Sequence, residues 1–349
     1  MSAGISAAEI AIAGVRRSFY FRSESAGDQG VFRQIFSEAD YSLVGLAQMG
    51  VFARYYRALL ARGARPLIVD CGANIGASAV WFALSYPDCQ LVAVEPERNN
   101  RELLAKNCEG LDCTLIDGGI SCSDGKMFLE DPGQGDWGFR LSAERGGYEV
   151  PTYAARDLVR RFTDQGQVPL IFKSDIEGGE AALFSKDTDW VDSFPLVIVE
   201  LHDWMLPGQA NSRNFLRTIA ALDMDFVHRG ENVFCFNNRL LRPWLSEPSH
   251  PIEELRQRVI ARPSAEAFLE LSLAYYQSNE FAACAGACSE ALKLDPNSSL
   301  ALNNLGLAFG QLQRWEEAER AFDRALALAP GFQLAQNNRA WIRSRAPGA

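Results

Sequence analysis

The sequence predicts a doubly wound α/β domain on a mostly parallel sheet, followed by a small all-α repeat domain. Three observations carry this. The segment from Pro66 to Glu97 reads as strand, glycine turn, helix, strand and acidic residue, which is half of a nucleotide-binding sheet with its ligand at the carboxyl ends of the strands. Short apolar runs alternate with helical stretches as far as Arg242. Beyond Pro243 the pattern is helical throughout and repeats every 34 residues.

Taken in order, residues 1–60 are expected to form an N-terminal helical region, with Asp28 to Tyr56 as a lid over the site. Strands are expected at 67–70, 91–95, 113–117, 170–175 and 196–201, with two more at 225–228 and 233–236. The first stops at Asp70, and Gly72 and Gly76 bracket the tight turn into a helix from Ala77 to Leu84. Pro243, Pro248 and Pro251 mark a linker, so residues 243–263 are read as linker plus capping helix. Helices are then expected at 264–277, 280–293, 298–311 and 314–327, with a last one from Phe332 to Arg345.

Composition narrows the function. With 48% hydrophobic and 22% charged residues over 349 positions, ordinary globular cores are expected. A net charge of −10 argues against a nucleic-acid binder held by phosphate contacts. No run is long and apolar enough for a membrane span, and the N-terminus lacks the basic start of a secretory signal. The eight cysteines form no C-x-x-C pair and no zinc spacing, so reduced thiols in a cytoplasmic protein are expected. Cys284 and Cys288, four apart on one helix, read as packing residues.

Asp70 to Gly76 is D-x-G-x-x-x-G, and Glu95 ends the next strand, where a carboxylate can accept both hydroxyls of a ribose. Nicotinamide and methyl-donor cofactors both use this logic. The G-x-G-x-x-G triple is absent, and Asp70 would repel a pyrophosphate but could hold an ammonium. That favours S-adenosyl-L-methionine over a nicotinamide oxidoreductase.

The run VDCGANIG, VAVEPE, FKSDIEGGE (172–180) and VIVELHDW (197–204) resembles the FkbM family of S-adenosylmethionine-dependent methyltransferases. The likeness spans about Asp28 to Phe236. Ala154-Ala155-Arg156-Asp157 departs from it, which leaves Asp157 without a role. The resemblance implies a Rossmann-like class I methyltransferase domain over 61–242. It implies that Asp70, Gly72, Asn74, Gly76 and Glu95 line the cofactor, with hydroxyl acceptors on sugars, glycans or secondary metabolites. Asp117, ending the third strand, is placed to meet the adenine amino group; a plain turn aspartate before Gly118-Gly119 is the equal alternative.

Transfer to a hydroxyl needs a base at the ends of the fourth and fifth strands. Asp175 and Glu177 occupy that position on the fourth, and Glu200, His202 and Asp203 on the fifth. Asp175, Glu177 and His202 are the expected catalytic residues, His202 because its intrinsic pKa is nearest neutrality. Glu180 is expected to cap a helix and pair with Lys173 or an arginine. Asp175, Glu177, His202 and Asp203 are also metal-ligand types, but a divalent metal is not the favoured reading and no ligand is assigned. Trp137 and the loop from Trp204 to Gly208 could shape the acceptor pocket, packing being the simpler role.

In the C-terminal part, Leu305-Gly306, Phe309, Ala318, Phe322, Ala325 and Pro330 resemble the tetratricopeptide repeat. The first unit departs from it at Ser272, Cys284 and Cys288. Residues 264–345 would give two repeats and a terminal helix, with Asn304 and Asn338 facing a groove for a protein or peptide partner. The array could equally pack or pair two copies into a homodimer. The competing reading of the whole chain is a scaffold whose repeats bind a partner while the first domain is a degenerate enzyme.

Overall fold

The computed structural model describes residues 4–12, 15–43, 46–130, 139–142, 147–245 and 251–345. Trp137 lies outside them. The chain divides into two compact units, the main break falling near residue 248, with residues 11–15 and 42–45 grouped with the second.

The first unit is built on a seven-stranded sheet. Its strands are β3 (Arg65–Cys71), β4 (Gln90–Glu95), β5 (Cys113–Asp117), β10 (Gln167–Ser174), β11 (Leu196–Glu200), β12 (Met224–Arg229) and β13 (Asn232–Asn237). They lie in the order β12-β13-β11-β10-β3-β4-β5. β10, β11, β3, β4 and β5 run parallel, and β13 is antiparallel to both β11 and β12. The strand order reverses between β3 and β10, the crevice where open α/β sheets bind ligands.

The central strands are near-continuous apolar runs because both faces are covered. On one face Leu67, Val69, Phe172, Val197 and Val199 share a core with Leu158, Val159 and Phe162 of α5 (Ala155–Thr163) and Phe215 and Ile219 of α7 (Arg213–Ala220). Phe172 sits 4.2 Å from Trp190, ring centre to ring centre. On the other face α3 (Ala77–Ser85) packs on β3 and β4, and α2 (Met49–Ala61) on β3. α4 (Arg98–Asn107) starts from Glu97, whose carboxylate accepts the Asn100 N–H at 2.7 Å, the geometry of an N-cap.

The expected helical region over residues 1–60 is corrected. It opens as a two-stranded ribbon, β1 (Ile5–Ile12) and β2 (Val15–Arg22), and helix begins only at α1 (Ala26–Phe32), extended by a wide turn from Arg33 to Ser37. The alternation ISAAEIAI has period two, which suits a strand. Asn107 ties this ribbon to the glycine turn, accepting the Tyr20 N–H at 2.7 Å and donating to Ile75 O at 2.8 Å. A second, four-stranded sheet was not expected: β6 (Gly119–Ser121), β7 (Gly125–Glu130), β8 (Arg140–Ser142) and β9 (Tyr148–Ala154). The short helices α6 (Glu180–Leu183) and α8 (Asn238–Leu241) complete the unit.

The second unit is helical, as its repeat pattern predicts: α9 (Pro251–Ala261), α10 (Ala265–Gln277), α11 (Phe281–Leu294), α12 (Ser299–Gln311), α13 (Trp315–Leu328) and α14 (Gln333–Arg343). Ile252 and Val259 of α9 cover the core made by Phe268, Leu271 and Ala291, so α9 caps the array. Gly306 lies against the Phe322 ring, and Cys284 and Cys288 are fully buried. All eight cysteines are free. Among the described residues no helix is long and apolar enough to cross a membrane.

Candidate functional site

The glycine turn after β3 lies at the sheet's switch point. Gly72 takes φ +77°, and a Cβ there would overlap the Asp175 carbonyl oxygen, so only glycine fits. Asn74 follows in the left-handed region at φ 50°. Gly76, φ +91°, begins α3 directly against Leu104 of α4. A cleft opens here, walled by Gly72, Asn74, Glu95, Asn100, Gly118 and Glu177, with Phe139 and Ile176 among the apolar lining.

Glu95 is the anchored acid of that cleft. One carboxylate oxygen accepts the Asn74 N–H at 2.8 Å, the other the Glu97 N–H at 2.9 Å. Burial pushes its pKa up to about 7, against the pull of those two backbone donors. Each oxygen keeps a further lone pair for a ligand hydroxyl.

Asp70 and Asp117 do not face the cleft, contrary to expectation. Asp70 is fully buried, 3.0 Å from Lys173 Nζ, and accepts the Ser78 hydroxyl at 2.6 Å. Lys173 also donates to Gly72 O at 2.8 Å and lies 3.6 Å from Asp175. Burial works against its charge, but Asp70 foremost, with Tyr41 and Asp175, holds its pKa well above the ordinary value. Asp70 and Lys173 therefore brace the turn from beneath. Asp117 pairs with Arg101 at 2.5 Å, while the backbone just after it, Gly118 to Ile120, forms the cleft wall.

Beside the cleft lies a larger cavity of about 680 Å³, walled by Arg33, Asp40, Asp175, Glu200, Trp204 and Glu231 among others. Residues 26–40 of the expected lid form one side of it. The two spaces share Asn74, Asp175 and Glu177.

His202 sits beneath this junction, 1% exposed, with Nδ1 donating to Glu180 Oε1 at 2.9 Å. Asn211 donates to the other oxygen of Glu180, which is itself fully buried. Glu180 thus orients His202 and does not pair with Lys173. Nε2 of His202 lies 3.4 Å from Glu177, 3.5 Å from Glu200 and 3.6 Å from Asp175. Burial opposes its charge, yet the bond to Glu180 and the nearby carboxylates of Glu200 and Asp175 raise its pKa to about 11. The reason for expecting His202 as the base, an intrinsic pKa near neutrality, does not hold inside this carboxylate shell. Glu177 is held at φ 50° and its pKa is pushed up to about 8, by burial first and Asp175 second. Burial likewise raises Glu200. Asp203 leaves the group, accepting the Ser212 N–H at 3.2 Å at the start of α7.

Sequence reasoning missed Asn211, Ser78 and the far wall formed by Gly230 and Glu231. None lies in a motif. Only the fold brings them to the site.

In the second unit a groove is lined by Tyr276, Asn303, Asn304, Gln311, Asn338 and Trp341, with no charged residue on it among the described residues. Asn338 donates to Asn303 at 2.9 Å and Asn303 to Asn304 at 3.1 Å, so the expected groove asparagines form one ladder.

Comparison with known proteins follows this division. No curated protein matches the chain. A solved structure from Klebsiella pneumoniae assigned as an O-methyltransferase is 16% identical, covering 59% of this chain and 90% of its own, with a TM-score of 0.30. One from Staphylococcus aureus assigned as a caffeoyl-CoA O-methyltransferase is 11% identical over 59% and 92%, TM-score 0.29. The first TPR of Spaghetti (RPAP3), bound to an HSP90 peptide, is 26% identical over 27% and 75%, TM-score 0.26. The family model for the methyltransferase FkbM domain matches residues 70–228, and that for the tetratricopeptide repeat matches residues 299–332. The chain carries a methyltransferase FkbM domain followed by a tetratricopeptide repeat.

Proposed function

We propose that the first unit methylates a hydroxyl group on a sugar, glycan or secondary metabolite, using S-adenosyl-L-methionine as donor. The observation that carries this is the junction of two spaces at Asn74, Asp175 and Glu177. Transfer needs a donor site and an acceptor site meeting at one point. The narrow cleft has the residues for the donor. The turn from Gly72 to Asn74 approaches closely, Glu95 offers two oxygens to a ribose, and Gly118 to Ile120 with Phe139 offer a flat wall to an adenine. The donor supplies an electrophilic methyl group.

The acceptor would enter the larger cavity, where Trp204 and the segment from Ala26 to Asp40 form its walls. Glu177 is the residue we assign as base. It lies on the wall shared by both spaces, and its Oε2 is buried without a hydrogen-bond donor. Asp175 sits beside it, and His202, with its Nδ1 fixed by Glu180, acts as a positioning group.

The test is calorimetry of donor binding with the full chain, followed by transfer of a labelled methyl group to fractionated cell extract. Glu177→Gln should bind the donor normally and lose transfer by about 100-fold or more. An intact protein that does not bind S-adenosyl-L-methionine would overturn the reading. For the second unit, the uncharged asparagine ladder favours main-chain recognition of an extended segment of a partner protein. Asn338→Ala should abolish capture of that partner.

A further inference from the structure

We infer that Asp175, Glu200 and His202 form a binding site for a divalent transition-metal cation on the acceptor side of the junction. These three offer ligand atoms within 4.8 Å of one another, drawn from the ends of two neighbouring strands. The decisive feature is the imidazole. A carboxylate can only accept, so the 2.9 Å contact with Glu180 fixes the Nδ1 hydrogen and turns Nε2 toward the cluster. Glu180 is fully buried and held in turn by Asn211. This is the outer support that metal-binding histidines use to set their tautomer and orientation.

The distances agree. Nε2 lies 3.5 Å from Glu200 and 3.6 Å from Asp175, longer than charge-assisted hydrogen bonds. Ligands about 2.1 Å from one tetrahedral ion are about 3.4 Å apart. Glu177 Oε2, 3.4 Å from the same nitrogen, is a buried oxygen lacking any hydrogen-bond donor. One imidazole with carboxylates suits Mn²⁺ or Zn²⁺ better than the all-oxygen preference of Mg²⁺. A hydroxyl coordinated there would ionise more readily, next to Glu177. That role, unlike the binding itself, rests on the proposed acceptor site.

The test uses the full chain, stripped with a chelator and titrated with Mn²⁺. Binding is read by electron paramagnetic resonance and by quenching of Trp204, whose ring centre is 6.5 Å from that of His202. We expect one Mn²⁺ per chain. Glu200→Gln and Asp175→Asn should each weaken it at least about tenfold, and Asp203→Asn, outside the cluster, should not. No saturable binding, or binding that both cluster variants leave intact, overturns the inference. Donor calorimetry on the stripped protein separates the two proposals. Donor binding without Mn²⁺ binding sinks the cation site alone, and Mn²⁺ binding without donor binding sinks the methyltransferase reading alone.

Discussion

Replacing Lys173 by methionine tests whether the glycine turn is braced from beneath by charge. The side chain is 2% exposed and its partner Asp70 is fully buried, with 3.0 Å between Nζ and the carboxylate. Methionine fits the space but leaves the buried Asp70 without its counter-charge, keeping only the Ser78 hydroxyl. Breaking one side of a buried pair costs about 3–5 kcal/mol. At about 3 kcal/mol per molar urea, the unfolding midpoint of this unit should fall by about 1 M or more. Equilibrium unfolding, followed through buried Trp81 and Trp190, measures it. The double variant Asp70→Asn with Lys173→Met removes both charges and should recover all but about 1 kcal/mol, the lost bond to Gly72 O. A single variant costing less than about 1 kcal/mol, or a double variant no better than the single, would refute the brace.

Two further outcomes follow from geometry already described. Glu95 titrates at about 7 in the fold against 4.5 unperturbed, with Glu97 and Lys173 the charged groups that act on it. The contribution of this raised carboxyl to stability is fully present below pH 4.5 and is lost as pH rises through 7. Donor hydroxyls favour the ionised form, so donor affinity should increase from pH 6 to 8 and level off. Calorimetry should show Glu95→Gln binding at least tenfold more weakly with a flat pH profile, and an unchanged profile would refute the role. In the repeats, Gly306→Val would push a side chain into the Phe322 ring and cost about 1–3 kcal/mol, seen as a lower melting midpoint for the helical unit through Trp341 fluorescence.

Much of this architecture was legible because burial on both faces leaves a plain mark. Leu67 to Val69, Leu91 to Val94 and Val197 to Val199 are unbroken apolar runs, and they are the sheet's central strands. The 34-residue period located the helical unit for the same reason. Less visible was the ribbon from Ile5 to Arg22, whose alternating pattern is short, and the sheet from Gly119 to Ala154, whose strands are brief and partly exposed. In the site, residue type proved easier to read than direction. An aspartate ending a strand looks the same whether it faces a ligand or a lysine, so Asp70 was placed on the cleft when it points at Lys173. Likewise Glu180, expected to cap a helix, supports His202, a residue 22 positions further on that only the fold brings beside it.

The contact between Gly72 and the Asp175 carbonyl, closed by the 3.0 Å bond from Asp175 N–H to Cys71 O, has a consequence for how such an enzyme can diversify. The segment that would hold the donor and the loop that carries the acceptor-side carboxylates are a single seam of backbone. Neither can accept an insertion or a side chain at that point without displacing the other. Divergence toward new acceptors is therefore confined to the opposite walls, at Ala26 to Asp40, Trp204 and Gly230 to Glu231. Related chains with different acceptors should vary there while the seam stays the same.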